Sequence, residues 1–526
     1  MYSNYSNQRR IFMSTSSSDA QFDKVLGSGD ILVMAFGAMI GWGWVISSGD
    51  WISRGGVLGA ALGFMIGGLV IYFVGMTYAE LTTAMPMTGG EHIFSYKALG
   101  PTGSFICTWS MIFCYIAVVC YEACAFPSII TYIFPGFLKG YLYTVAGFRV
   151  YASWLAVALL IAAGTTLVNL MGVKAAAVLQ TVLTLIIGGV GILLIAASAV
   201  RGDSSNMMPQ LFVGGTAASS FSHVLNVAVV TPFFMIGFNV IPQAASEINV
   251  PLKKIGRILI LSIVLAVVFY GLVILAVGNL LNPSELKASM HSAGGLVTAD
   301  AMAKAFHSKV MAKILIIGGT CGIITSWNSF LIGGSRALYS MAESCMIPES
   351  FGKLSSKHRM PVRAICLIGF LSMLAPFAGQ KMLVWICDAG NLGCCIAYCM
   401  VAVSFVILRK KAPDMKRPFK VKHGMFTGIG AILTSGFMVA MYIVPGSGST
   451  LKAQEWLMAG AWALIGAGFY VYNKRKYRER FGYIEGVECV ADHGRRCAEK
   501  VRLLDQKAKT SRNSDADSDK NKRKTA

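Results

Sequence analysis

Two stretches of this chain place glycines in the middle of apolar segments, where a helix gains least from them. Gly41-Trp42-Gly43 interrupts the run Phe36–Ile46, and Gly237-Phe238-Asn239 interrupts the run Pro232–Pro242 in the other half of the chain. The two share a core of Met-Ile-Gly-aromatic, Met39 to Trp42 and Met235 to Phe238. Inside a bilayer every backbone N–H and C=O must be satisfied, so a loosened turn persists only where the freed groups meet a ligand or line a cavity. The N–H groups that open the second half of a broken helix attract a carboxylate, and the carbonyls that end the first half attract an ammonium group. This reasoning places the backbone of Ile40, Gly41, Trp42 and Gly43 on the carboxylate side and Phe234 and Gly237 on the ammonium side, with Phe238 and Asn239 at the same second break. Matching interruptions in two halves of a polytopic chain point to the substrate site of a secondary transporter. The competing reading, glycines that merely let helices approach closely, does not account for the same interruption appearing twice.

Among ionisable residues, Glu122 lies within the third apolar span. A carboxylate there is costly unless protonated or paired, and it is a functional candidate by default. A structural bond to a neighbouring helix is the alternative. Glu80 and Glu247 fall near the cytoplasmic ends of spans, where an ion pair with Lys or Arg across an inner gate is expected; Arg336, at the inner end of span eight, is available to either.

The elements that must hold these groups follow from composition. Hydrophobic residues make up 55% of the chain and charged residues 13%, with a mean hydropathy of +0.61, far from soluble averages. A helix needs about 20 apolar residues to cross a bilayer. Twelve spans are expected, at Ile31–Ile52, Val57–Ala84, Thr102–Ile130, Ala152–Leu170, Ala175–Val200, Val224–Ala245, Ile258–Leu281, Ile314–Met341, Ala364–Phe377, Met382–Leu408, Met425–Val444 and Trp456–Tyr472. An even number puts both termini on one side. The loops on that side carry sixteen Lys and Arg against ten on the other, so the positive-inside rule assigns both termini to the cytoplasm. The same rule accounts for the net charge of +21 without nucleic acid. Residues 1–26 form a polar lead-in with no signal-peptide pattern, 27–475 the helical domain (27–200 and 222–410 as two repeats, then 424–475), and 476–526 a basic cytoplasmic tail. Its first cluster, Lys474 to Arg480, is placed at anionic lipid, and its end beyond about residue 505 is expected to be disordered. The thirteen Cys are mostly scattered singly through apolar runs with no CxxC pair, which argues against a disulfide framework or a metal site; no cofactor is expected.

With spans and breaks in place, the chain resembles the amino acid–polyamine–organocation (APC) superfamily of permeases over roughly residues 22–475. The first span is similar to that family's Gly-x-x-Ile-Gly-x-Gly signature. The sixth is similar to its Phe-Phe-x-x-x-Gly-Phe…Glu…Pro pattern, here Phe233, Phe234, Gly237, Phe238, Glu247 and Pro251. Ser335 to Ala342 with Met346-Ile347-Pro348, and Leu408 to Pro413 with Arg417-Pro418-Phe419, resemble two of its cytoplasmic loops. The resemblance implies an all-α membrane fold with a five-plus-five inverted repeat, spans one and six broken mid-bilayer, alternating access, and uptake or exchange of amino acids or related amines across the plasma membrane. It also implies that Phe238 closes over substrate. Two departures stand out. Trp42 occupies a place where the family often has Ser: it narrows the pocket, or offers a ring face to a cation for about 0.5–2 kcal/mol, or points away into neighbouring helices. Ile187 stands where sodium-independent relatives commonly carry Lys, and Lys174 sits only at the span's edge. Thr325 and Ser326 are then left as oxygen ligands for a cation, unless they bond their own backbone. A proton or sodium is the expected partner ion. A channel would need an open polar ring, and an enzyme would need a metal, triad or nucleotide motif that is absent here. A membrane-embedded amine sensor and a sodium-coupled symporter are the alternatives to a proton-coupled or exchanging permease.

Overall fold

The computed structural model describes residues 22–291, 296–447 and 450–491. The far end of the basic tail, expected to be disordered, lies outside the described residues, as does most of the polar lead-in.

The first apolar run forms two helices, α1 (Ser28–Met39) and α2 (Gly43–Gly55), bent by 45° at the Gly41–Trp42 turn. Gly56, at φ +79°, turns the chain into α3 (Val57–Ala84). Next comes α4 (Glu91–Ile133), whose backbone leaves helical geometry at Gly100, φ +78°, just before Pro101. Proline clashes with a helical residue before it, so Glu91–Leu99 forms a separate helical turn region tucked ahead of the span expected from Thr102. The following loop corrects the all-α expectation. Tyr141–Val145 (β1) and Phe148–Tyr151 (β2) form an antiparallel hairpin, closed by Ala146 and Gly147 at φ +49° and +78°. Two positive φ angles make a tight hairpin turn whose twist suits the strands, and the flanking Tyr, Val and Phe favour strand.

The chain continues as α5 (Ala152–Leu170), α6 (Val173–Arg201), α7 (Ala217–Phe234) and a four-residue α8 (Val240–Gln243). The sixth span, expected to be interrupted at Gly237, is two helical pieces separated at residues 235–239. Pro232 in the last turn of α7 removes a backbone donor and helps end the helix. After α9 (Leu252–Leu280), two short helices, α10 (Pro283–Met290) and α11 (Val297–Phe306), lead into α12 (Lys309–Glu343). Then follow α13 (Val362–Leu374), α14 (Gly379–Lys411), α15 (Gly424–Ile443) and α16 (Ala453–Tyr477).

Among the described residues, nine helices are long and apolar enough to cross a membrane, ten if α1 and α2 count as one bent span. Of the other expected spans, the ninth is a shorter apolar helix, Val362–Ala378, and the twelfth lies within α16, whose last turn is Lys474, Arg475 and Lys476. Leu160, Leu185, Leu433 and Leu464 are exposed on the outer helices, an apolar girdle suited to lipid. By contrast α12 is buried at every residue from Thr325 to Ala342. A helix buried all round is a central one, and α12 packs against α1, α4, α6 and α13.

Candidate functional site

The two breaks meet. A Cβ added at Gly237 would lie 2.8 Å from Ala38 Cβ and 3.0 Å from Met39 N, so the turn after α7 rests directly on the last turn of α1. Gly237 itself has φ +149°, a conformation that L side chains rarely adopt. On the other side of α1, Gly41 sits against α12: a Cβ there would be 3.2 Å from Ser326 Oγ. Gly43 lies under the Phe234 ring, with Tyr270 Oη beyond it.

Backbone groups at the first break are free in the manner that a zwitterion could use. Among the described residues, the N–H groups of Gly41, Trp42 and Gly43 donate no backbone hydrogen bond. They stand at the start of α2, where helix geometry leaves donors unsatisfied. The Met39 carbonyl that ends α1 accepts a hydrogen bond from Tyr270 Oη at 2.9 Å. At the second break, the Asn239 side chain folds back: its Oδ1 accepts from Gly237 N at 3.1 Å, and its Nδ2 donates to Tyr115 Oη at 2.9 Å.

Aromatic groups bracket the breaks. Toward the Gly55 end of α2, Phe234 packs with Trp51 at a centroid distance of 4.8 Å, and Phe64 stacks on Tyr270 at 5.1 Å. Toward the opposite end, Phe238 is fully buried, stacked on Tyr398 at 5.5 Å and edge-on to Tyr78 at 5.3 Å. Ile40 is also fully buried, and Trp42 is 6% exposed. The Trp42 ring lies across Gly319 of α12, where a Cβ would come within 3.0 Å of its Cε3. Trp42 is thus packed into a neighbouring helix, and Gly319 is the residue whose missing side chain makes room for it. Gly319→Ala is expected to displace the indole and lower thermal stability by about 1–3 kcal/mol, the usual range for overpacking; an unchanged melting temperature would contradict this placement.

The polar candidates are distributed as follows. Glu122 is buried, accepts a hydrogen bond from Ser326 Oγ at 2.5 Å, and leaves its Oε2 without a partner. Ser326 also lies 2.9 Å from the Gly322 carbonyl. Thr325 Oγ1 is 2.9 Å from the Gly37 carbonyl of α1 and equally close to Gly322 O in its own helix. Ile187 contacts Gly322 beside Gly41. Arg336 and Glu247 form a buried two-point ion pair, Nε to Oε1 at 2.8 Å and Nη2 to Oε2 at 3.1 Å. Glu80 does not share that partner. Arg409 at the end of α14 donates from Nε to Glu80 Oε1 at 2.9 Å, Arg417 Nε is 3.0 Å away, and Val421 N donates to Oε2 at 2.8 Å. The expectation that Arg336 could serve either acid is corrected to Glu247 alone, because the turn after α14 brings two other guanidinium groups onto Glu80.

The lead-in strengthens the Glu247 end. Val25 N and Leu26 N both donate to Glu247 O at 3.0 Å, and the Phe22 ring sits 5.8 Å from the Arg336 guanidinium carbon.

Three residues around the breaks were not singled out by sequence reasoning. Tyr270 is one of several aromatics in an apolar span, with nothing local to mark it. Gln243 and Glu91 face each other, Gln243 Nε2 donating to Glu91 Oε2. The only available signal was Gly89-Gly90 directly before Glu91: their φ angles are +105° and +38°, and a Cβ at Gly90 would meet Pro242 at 2.8 Å.

A family model described as amino acid permease matches residues 30–484. The chain is 25% identical to the branched-chain amino acid permease BcaP of Bacillus subtilis, over 88% of this chain and 96% of that one. It is 24% identical to the gamma-aminobutyric acid permease of the same organism, over 88% and 96%. It is also 24% identical to that organism's aspartate-proton symporter, over 84% and 82%.

Proposed function

The chain belongs to the amino acid permease family, and on that premise we propose that it is a secondary transporter carrying an amino acid or a small related amine by alternating access, coupled to a proton or working by exchange. It is a multi-pass membrane protein of mostly helical architecture. The finer reading has twelve spans in two inverted repeats of five, 27–200 and 222–410, followed by two further helices, with both termini on the cytoplasmic side of the plasma membrane and the Lys474–Arg480 cluster at anionic lipid.

The observation that carries the reading is the meeting of the two interrupted helices, with unbonded N–H groups at Gly41, Trp42 and Gly43 beside the turn at Gly237. An amino acid presents its carboxylate to the first break and its ammonium to the carbonyls near Phe234 and Gly237. Phe238 is the aromatic lid, and Asn239 holds the second turn in shape. The names of the similar proteins support amino acid cargo, and the aspartate-proton symporter among them supports a proton as partner. Glu80 with Arg409 and Arg417, and Glu247 with Arg336, act as fasteners at the inner ends of the helices.

Counterflow in proteoliposomes tests the reading. A carrier accelerates uptake of labelled substrate when unlabelled substrate is inside; a channel or a sensor gives no acceleration, and that result would overturn the proposal.

Glu122 is the proposed proton carrier. It accepts one hydrogen bond, from a serine that itself reaches Gly41, and no cation pairs with it among the described residues. Glu122→Gln is expected to leave counterflow in place while flattening the pH dependence of net uptake. Uptake that requires sodium and ignores Glu122→Gln would transfer the coupling role to Thr325 and Ser326, whose hydroxyls lie at the α1–α12 contact.

A further inference from the structure

A second buried carboxyl lies beyond the breaks, and its surroundings are out of balance. Glu91 is fully buried. Gln243 Nε2 donates to its Oε2, while Glu91 Oε1 and Gln243 Oε1 both lack a partner. The Tyr78 hydroxyl faces Glu91, and the Tyr78 ring stands edge-on to Phe238. Buried polar atoms in native proteins almost always find partners, so the two orphaned oxygens of this bonded pair, Glu91 Oε1 and Gln243 Oε1, need a common cause.

The groups facing Glu91 are Tyr78 from α3, Cys107 and Tyr115 from α4, and Gln243 and Asn239 from the second break. Tyr398 of α14 stands behind Tyr78. None carries a positive charge, and no ion pair involves Glu91 among the described residues. Arg336, Arg409 and Arg417 are committed to Glu247 and Glu80. An ionised Glu91 would therefore sit fully buried with no countercharge, which is costly. A carboxylic acid differs from a carboxylate by one donor. Added to Glu91, that donor can satisfy the Gln243 amide oxygen once the amide is turned over, an orientation assigned from the network and not seen directly, leaving the amide N–H to a tyrosine oxygen.

Gln243 ends α8, the short helix just past the second break. The Gly89-Gly90 turn that presents Glu91 rests on Pro242 and donates from Gly89 N to Gln243 O at 3.3 Å. Displacement of α8 removes the hydrogen-bond partner and admits water to the carboxyl in one step.

We propose that Glu91 is a second protonation site of this permease, neutral while α8 is docked on it, and that departure of α8 releases the proton from the carboxyl to water on the Glu91 side. The inference rests on the transporter reading above and adds a site to it. Closure of that end then requires a proton.

The test uses purified full-length protein in proteoliposomes, with counterflow and pH-gradient-driven accumulation of the substrate measured on the same preparation. Wild type without counterflow would overturn the transporter reading itself. Given counterflow, Glu91→Gln is expected to keep exchange and to lose gradient-driven accumulation, the internal-to-external ratio falling to its value without a gradient. Glu91→Asp keeps a titratable group, set back by one methylene, and is expected to restore accumulation with a displaced pH midpoint. Accumulation by Glu91→Gln at the wild-type ratio would overturn the second site. Loss of counterflow in both variants would also overturn it, by assigning Glu91 to packing alone.

Discussion

Gly237→Ala is expected to abolish transport in a protein that still inserts, although only one methyl group is added. The position is held at φ +149°, where strain for a residue with a Cβ is about 1–3 kcal/mol. The new methyl would also stand 2.8 Å from Ala38 Cβ and 3.0 Å from both Met39 Cγ and Met39 N. Two of those atoms lie on or next to the main chain of the first break, so relief requires the two interrupted helices to separate. Gly41→Ala provides the scale. Its methyl would meet Ser326 Oγ at 3.2 Å and the Gly322 carbonyl at 3.5 Å, and a hydroxyl can give by a few tenths of an ångström. A graded result is expected, with Gly41→Ala slowed, Gly41→Leu and Gly237→Ala inactive, and Gly237→Leu inactive and less stable. Counterflow rates normalised to folded protein in the membrane decide it. Near-normal transport by Gly237→Ala would remove the meeting of the breaks from the site.

The second large effect concerns Arg336 and Glu247. Both are essentially inaccessible to solvent, with side-chain exposures of 0% and 1%. Removing one partner strands the other charge, at a cost of about 3–5 kcal/mol, so Arg336→Met and Glu247→Leu should each lower the melting temperature sharply. Replacing both should recover much of the loss, since an apolar pair of similar volume is often as stable as a buried ion pair. Arg336→Lys should not behave conservatively, because one ammonium cannot reproduce the two-point contact. If the pair fastens the inner end, the recovered double variant will be stable yet transport abnormally. Singles that melt like wild type would sink the argument. So would a double variant with both normal stability and normal transport, which would leave the pair no role at the gate.

Legibility in the sequence followed the range of the physics involved. The apolar spans could be read because crossing a membrane demands a length of apolar chain, whatever its neighbours do. Both breaks could be read because the cost of an unbonded backbone is local, and Gly41, Gly43 and Gly237 are where it is incurred. The hairpin at Tyr141–Tyr151 was equally local, with alternating strand formers around Ala146-Gly147; it was missed because composition set the expectation for the whole chain. The short ninth helix and the polar last turn of α16 show where counting apolar runs meets its limit.

What only the tertiary structure decided is partnership. Glu80 could not be assigned to Arg409 and Arg417 from the chain, because their approach depends on how α14 and the turn after it pack against α3. Tyr270 caps the Met39 carbonyl and Trp42 fills the space above Gly319 for the same kind of reason: contacts between residues far apart in sequence are set by helix packing, which residue type constrains only weakly. Glu91 is the sharpest case. Sequence reasoning did not single it out; the positive-φ glycines before it and the docking of α8 bury it, and burial converts an ordinary carboxylate into one whose charge must be answered.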